Sequence, residues 1–172
     1  MSSEVTWGEA RTREVTWHDP MPPLASLRTM PGIEFLRGMI DGTVPAPPIA
    51  ASLDFRIVSV GPGSATFEVD PSEFHFNPLG LVHGGVLCTL LDTVLGCAVH
   101  TTLEAGWGYT SIDLNVTYLR PVTLKSGTLT AVGTVTKGGR RVSFASGEIR
   151  DAAGAVIATG TGSLLMFEPG VG

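Results

Sequence analysis

The chain has 172 residues and a mass of 18.0 kDa, which suits one domain with a hydrophobic core that needs no disulfide or metal to hold it together. Its formal net charge of -5, from 11 basic and 16 acidic residues, argues against a nucleic-acid-binding surface, because phosphate contacts need a clustered excess of lysine and arginine. The longest apolar run, residues 86–99, is interrupted by Asp92 and two threonines and falls short of the roughly 20 residues that cross a bilayer, so no membrane span is expected.

Residues 1–48 differ in composition from the rest of the chain and predict an N-terminal extension, a proline-rich arm. One short amphipathic helix is expected near residues 33–41, where Phe35, Leu36, Met39 and Ile40 recur at helical spacing. The apolar side of that helix could cover the domain or an opening into it. Because the first 25 residues carry charges and no apolar segment typical of secretion, we expect a cytoplasmic protein.

Residues 49–168 predict one α+β domain. Strict alternation of apolar and polar residues over 112–118 indicates an antiparallel sheet with one packed face. Two glycines in Lys137-Gly138-Gly139-Arg140 are expected to supply the positive φ angles of a hairpin turn, and residues 151–154 form a second turn. The expected architecture is a sheet of five to six antiparallel strands wrapped around one long helix. The strands are predicted at residues 52–60, 64–69, 110–119, 127–136, 141–150 and 155–166.

The long helix is predicted to begin at His83-Gly84-Gly85, directly after the turn residues of the stretch Asn77-Pro78-Leu79-Gly80. A helix start of this kind offers unpaired backbone N–H groups to a ligand oxygen. At about 100° per residue, the leucines, valines and alanine of residues 86–99 fill one arc and form the core side. Asp92 falls on the other arc with Gly85, Gly96 and small hydroxyls, so that another backbone or a thin ligand could approach it.

Two interpretations of these polar residues stay open. Asp92 is either a solvated helix position or a carboxylate held in a partly buried cleft as base or nucleophile, and the scarcity of other charges nearby favours the second. His83 either caps the helix or takes part in chemistry. Cys88 and Cys97 point to roughly opposite sides of the helix and are interpreted as small apolar residues. The four histidines lack metal-ligand spacing, so no metal site is expected.

The ordered set of Asn77, His83-Gly84-Gly85 and Asp92, followed by residues 111–121, resembles the hotdog-fold acyl-CoA thioesterases of the phenylacetate-pathway type, which are related to 4-hydroxybenzoyl-CoA thioesterases. The resemblance covers about residues 49–167. It implies that Asp92 is a general base on water or a nucleophile. The Gly84 N–H would polarise the thioester carbonyl as an oxyanion-hole donor.

The resemblance also implies roles for three further residues. The Asn77 side chain would position the thioester or the water, and the Ser111 hydroxyl would assist the attacking water. His83 would lie near the thioester with a role that varies among such enzymes. Phosphates of coenzyme A would bind basic residues at the mouth of the cleft. The basic residues closest to suitable turns are Arg120, Lys137, Arg140 and Arg141. The alternative interpretation is that these four are solvated charges at strand ends and in a hairpin.

The resemblance further implies a homodimer, with two sheets joined edge to edge and active sites at the interface, and often a tetramer built from two dimers. The leading hypothesis is therefore hydrolysis of an acyl-CoA thioester, with no cofactor besides the coenzyme A of the substrate. Two alternatives remain: a hotdog enoyl-CoA hydratase or dehydratase, and a non-catalytic acyl-CoA-binding module.

Overall fold

The architecture comes from a computed structural model, which describes residues 8–168. Within these residues, six strands form one antiparallel sheet in the order β1-β2-β4-β5-β6-β3. The strands are β1 (Phe55–Gly61), β2 (Ser64–Val69), β3 (Gly108–Tyr118), β4 (Leu129–Lys137), β5 (Val142–Arg150) and β6 (Val156–Phe167). The helices are α1 (Met21–Ser26), α2 (Gly32–Asp41), α3 (Pro48–Leu53) and α4 (Gly84–His100).

The helix α4 packs against strands β2 to β6, so the sheet curls around it. Two strand glycines allow the close approach: a Cβ at Gly133 would lie 2.2 Å from the Val94 carbonyl oxygen, and one at Gly147 would lie 2.7 Å from the Leu95 side chain. The core forms between the helix and this concave face, with Leu90 and Leu91 fully buried. The predicted α+β hotdog fold is therefore confirmed.

The predicted core side of α4 is buried throughout, from Val86 to Val99. The burial of residues on the opposite side of the helix is less uniform than the helical pattern indicates. Gly96 and His100 are buried there too, because the Tyr109 ring of β3 lies against Gly96, where a Cβ would come within 2.6 Å of it. Asp92 stays exposed between these contacts and the start of the helix.

The hairpin between β4 and β5 forms where it is expected, but its explanation by positive φ is wrong. Neither Gly138 nor Gly139 has a positive φ, since residues 138–141 make a loop longer than the two-residue turn that needs such angles. Gly139 is required for a different reason: a Cβ there would lie 2.1 Å from the Val142 carbonyl oxygen. Gly154, in the β5–β6 turn, has the positive φ of 83°.

The N-terminal region contains α2 at the place of the expected short helix, together with two helices that the sequence pattern did not predict. Both begin with proline in their first turn, where its missing N–H costs nothing. Residues 52–53 therefore belong to α3, and β1 begins only at Phe55, after Asp54 ends α3 in the left-handed conformation. The predicted boundary at residue 48 coincides with the start of α3, and the division into arm and domain stays a prediction.

In residues 8–168, no helix combines the length and the apolar character that crossing a bilayer requires.

Candidate active site

Asp92 and Ser111 are brought together by the antiparallel crossing of α4 and β3. The Ser111 hydroxyl donates a hydrogen bond of 2.7 Å to Asp92 Oδ1. This leaves the second carboxylate oxygen free to accept from a ligand or a water. The pair therefore provides an oriented acceptor on the exposed side of α4.

The start of α4 holds the second cluster of predicted residues. His83 is the N-cap, and its Nδ1 accepts a hydrogen bond of 2.8 Å from the Gly85 N–H. This contact agrees with the interpretation of His83 as the cap of the helix. Among the hydrogen bonds of residues 8–168, the Gly84 N–H donates to no acceptor, so it remains available at the positive end of the helix dipole.

Asn77 shapes the loop that leads into α4. Its Oδ1 accepts hydrogen bonds from the backbone N–H groups of Leu79 and Leu81, at 2.9 and 3.2 Å. Because the oxygen is used in this way, the Nδ2 amide is the part of the side chain left to donate. Asn77 and Gly84 line the same surface hollow, which has a volume of about 380 Å³.

Tyr118 is a residue of this region to which the sequence pattern assigned no role. Its hydroxyl donates a hydrogen bond of 3.0 Å to the Gly84 carbonyl oxygen and lies 2.8 Å from Cys88 Sγ. Since the single phenolic hydrogen goes to Gly84, the Cys88 thiol must donate to the Tyr118 oxygen. The neighbouring Cys88 sulfur and partial burial raise the pKa of Tyr118 to about 12, so the hydroxyl stays protonated and able to donate at neutral pH. In the sequence, Tyr118 appeared only as the last residue of the alternating strand pattern. Its partners Cys88 and Gly84 lie 30 and 34 positions earlier in the chain, so local spacing did not indicate these contacts.

The predicted residues form two separate groups within one chain. Gly84 and Asp92 are eight positions apart on α4, which corresponds to about 12 Å along the helix axis. A single carbonyl group cannot contact both from the same chain. The Asn77–Gly84 group lines one hollow, whereas Asp92 lies at another, an apolar cavity of about 590 Å³.

The four basic residues proposed for phosphate contacts also divide into two places. Arg120 follows β3 and lines the hollow of Asn77 and Gly84. Lys137, Arg140 and Arg141 lie in the β4–β5 hairpin, at the opposite end of β6. The partners of Tyr118 and Val142 on β6 are Ala158 and Leu165, seven positions and roughly 23 Å apart, so the structure does not bring the two places together in one chain. Within residues 8–168, no three His, Cys, Asp or Glu side chains form a group that could hold a metal ion.

Comparison with known proteins agrees with this fold. The sequence model of the thioesterase superfamily matches residues 79–158, which include Gly84, Asp92 and Ser111. Human acyl-coenzyme A thioesterase 13 is 34% identical over 105 residues, which cover 60% of this chain and 74% of that protein. A phenylacetic acid degradation-related protein from Ralstonia eutropha has a TM-score of 0.69 and 31% identity, with 76% of this chain and 98% of that one covered.

The PaaI protein of E. coli has a TM-score of 0.68 at 22% identity, with 77% of this chain and 93% of that one covered, and this likeness shows the shared fold. The identity to human acyl-coenzyme A thioesterase 13 extends over most of that protein, and residues 79–158, which match the superfamily model, carry the helix start and the carboxylate described above. The chain therefore belongs to the thioesterase superfamily, as a thioester hydrolase of the PaaI-like hotdog type.

Proposed function

We propose that this protein hydrolyses an acyl-CoA thioester to the free acid and coenzyme A, with Asp92 as the general base. The observation that carries the proposal is the Ser111–Asp92 hydrogen bond, which orients a carboxylate at the mouth of an apolar cavity. Asp92 takes a proton from water, and the water oxygen attacks the thioester carbon. The carbon–sulfur bond then breaks, and the coenzyme A sulfur leaves as a thiolate that takes up a proton.

The free Gly84 N–H is the proposed donor to the thioester oxygen. Negative charge develops on that oxygen as water adds, and a backbone donor at a helix start stabilises it. Asn77 lines the same hollow, and its Nδ2 amide serves as a second polar contact to the thioester. His83 keeps its capping role, because its Nδ1 already accepts from Gly85.

The distance of about 12 Å between Gly84 and Asp92 supports an active site built from two chains. A two-fold axis that crosses α4 near Cys88, midway between them, would bring Asp92 opposite Gly84 of the partner subunit. Each dimer then contains two equivalent sites. We expect the same dimers to pair into tetramers.

The edge strand β3 supports such a dimer. It pairs with β6 on one side, and its other side has no strand partner in residues 8–168. Ile112 occupies a bulge in this strand with 56% of its surface exposed. An exposed strand edge with an apolar side chain favours pairing with a second chain. The opposite edge, β1, packs against α2 and α3.

Release of thiol from a panel of short, medium, long and aryl acyl-CoAs tests the reaction directly. We expect Asp92→Asn to lower kcat by about 10²–10⁴-fold, because the amide cannot take the proton. Enoyl-CoA hydration, measured in parallel, separates the hydratase alternative. Acyl-CoA binding without thiol release, or full activity of Asp92→Asn, would contradict the assignment.

Mixing two inactive variants tests whether the site spans two chains. In a mixed dimer of Asp92→Asn and Gly84→Pro subunits, one site carries both changes and the other carries neither. Random mixing should restore about one quarter of the wild-type activity per chain, since about half of the dimers are mixed and each has one intact site. A site within one chain predicts no recovery. Sedimentation of each variant checks that the oligomeric state is unchanged.

A further inference from the structure

A cavity of about 590 Å³ extends from Asp92 along the second half of α4 and under the N-terminal helices α1 and α2. We propose that it binds the acyl group of the thioester, that this group is a neutral chain of about eight to ten carbons in length, and that α1 and α2 set this length. The inference rests on the proposed function, since it takes Asp92 as the position of the thioester.

The length follows from the residues of α4 that line the cavity. Asp92 is exposed at one end, and His100 lies at the other end with 6% of its surface exposed. Thr93 and Cys97 line the wall between them. The eight positions from Asp92 to His100 correspond to about 12 Å. Carbon–carbon bonds of about 1.5 Å advance an extended chain by roughly 1.25 Å per carbon, so a chain of about eight to ten carbons fills this length.

The inner wall carries no net charge at neutral pH. Burial lowers the pKa of His100 to about 4 and raises the pKa of Cys97 to about 12. It also raises the pKa of Tyr109, so all three groups are neutral. The charged residues in the lining are Asp92 and Arg28, and both are exposed. A carboxylate or ammonium group buried against His100, Cys97 and Tyr109 would therefore lose its hydration without gaining a charged partner there.

The far wall belongs to the N-terminal helices. Leu27 follows α1, and Phe35 and Met39 lie on α2, and all three line the cavity. Backbone hydrogen bonds tie this region to the chain after α4, from Gly106 to the Leu27 carbonyl at 2.7 Å and from Gly32 to the Leu103 carbonyl at 3.0 Å. These helices lie outside residues 79–158, so the wall is a feature of this chain beyond the part matched to the superfamily.

Binding of non-hydrolysable acyl-CoA thioethers with 2 to about 16 carbons, measured by calorimetry, tests the inference without requiring turnover. Each methylene that enters the cavity should lower the Kd by about fourfold. The gain should stop at about eight to ten carbons, and a phenylacetyl analogue should bind less tightly than the eight-carbon chain.

Met39→Trp adds volume to the far wall. In this variant, the Kd should stop falling at a chain length at least two carbons shorter than in the wild-type protein. Ile40→Trp is the matched control, because Ile40 is the next residue of α2, is exposed and does not line the cavity. Leu27→Trp repeats the test from the other side if Met39→Trp unfolds at a lower temperature. A Kd that does not depend on chain length would overturn the inference. So would Met39→Trp and Leu27→Trp variants in which the Kd stops falling at the same chain length as in the wild-type protein. Thiol release by the wild-type protein separates this outcome from failure of the proposed hydrolysis.

Discussion

Ser111 Oγ and Asp92 Oδ1 lie 2.7 Å apart, so a strand hydroxyl fixes the carboxylate of the helix that crosses it. We predict that Ser111→Ala lowers kcat by about 10- to 100-fold, the size of one hydrogen bond to a charged group. Ser111→Thr, which keeps a hydroxyl, should recover most of this loss. The measurement is steady-state thiol release with the best acyl-CoA of the panel. Equal activity of the alanine variant and the wild-type protein would remove Ser111 from the mechanism.

The role of the Gly84 N–H can be separated from the effect of a larger side chain. Gly84→Ala and Gly84→Pro both place a Cβ about 3.0 Å from the Tyr118 ring, but only proline removes the N–H. Proline suits the first helical position, and the extended conformation of His83 tolerates a following proline.

We therefore expect the proline variant to be slower than the alanine variant by about 10²–10³-fold in kcat. Circular dichroism and thermal unfolding of both variants check that α4 is intact. If the two variants turn over at the same rate, the Gly84 N–H is not the oxyanion donor.

We predict that Tyr118 acts through Gly84 as a positioning residue, since its hydroxyl donates to the Gly84 carbonyl oxygen. Removing its hydroxyl in Tyr118→Phe takes one hydrogen bond from the first turn of α4 and leaves the ring in place. We expect kcat to fall by about threefold to tenfold, with KM nearly unchanged, because one neutral hydrogen bond contributes about 1 kcal/mol. The free energy of unfolding in urea should change by less than about 1 kcal/mol, because the side chain is half exposed. A large loss of stability with unchanged kcat would make the role purely structural.

Arg120 is the basic residue that shares a hollow with Asn77 and Gly84. Arg120→Gln should raise the KM for acyl-CoA by roughly tenfold, the size of one charge-assisted hydrogen bond. The same variant should leave the KM for an acyl N-acetylcysteamine thioester unchanged, because that substrate has no phosphates. Arg141→Gln, in the distant hairpin, is the comparison. If Arg141→Gln raises the KM for acyl-CoA more than Arg120→Gln does, the phosphates are bound by the hairpin of a neighbouring chain.

His100 makes the stability of the fold depend on pH. Its pKa is lowered by burial to about 4, against an ordinary value of 6.5 in the unfolded chain. Above pH 6.5 both states are neutral and the stability is highest. Between pH 6.5 and 4 only the unfolded state binds the proton, so the free energy of unfolding should fall by up to about 3 kcal/mol.

Urea unfolding from pH 8 to pH 4 measures this change. His100→Leu should flatten the dependence and leave a smaller slope of the same sign, since burial also lowers the pKa of His75. An unchanged slope in His100→Leu would assign the acid sensitivity to other groups.

Local patterns were sufficient for the elements of the domain. The core side of α4 follows from its apolar spacing, and the strands lie within a few residues of their expected positions. The patterns were less informative where proline begins helices, as in α1 and α3, and at Gly139, where a close backbone contact and not a positive φ requires glycine. Such contacts depend on how closely other segments approach, and the spacing of residues along the chain does not predict that approach.

The sequence by itself determined the fold class and the helix that carries Gly84 and Asp92, because periodicity and turn residues act within a few positions. Only the tertiary structure decided which residues meet. Ser111 reaches Asp92 and Tyr118 reaches Gly84 because β3 crosses α4 in the antiparallel direction. The rise of α4 itself separates Gly84 and Asp92 by about 12 Å, and the segments packed around the helix place them in two different hollows. Packing between segments far apart in the chain decides which residues share a hollow, whereas the separation of Gly84 and Asp92 along one helix is the reason that a second subunit enters the proposed site.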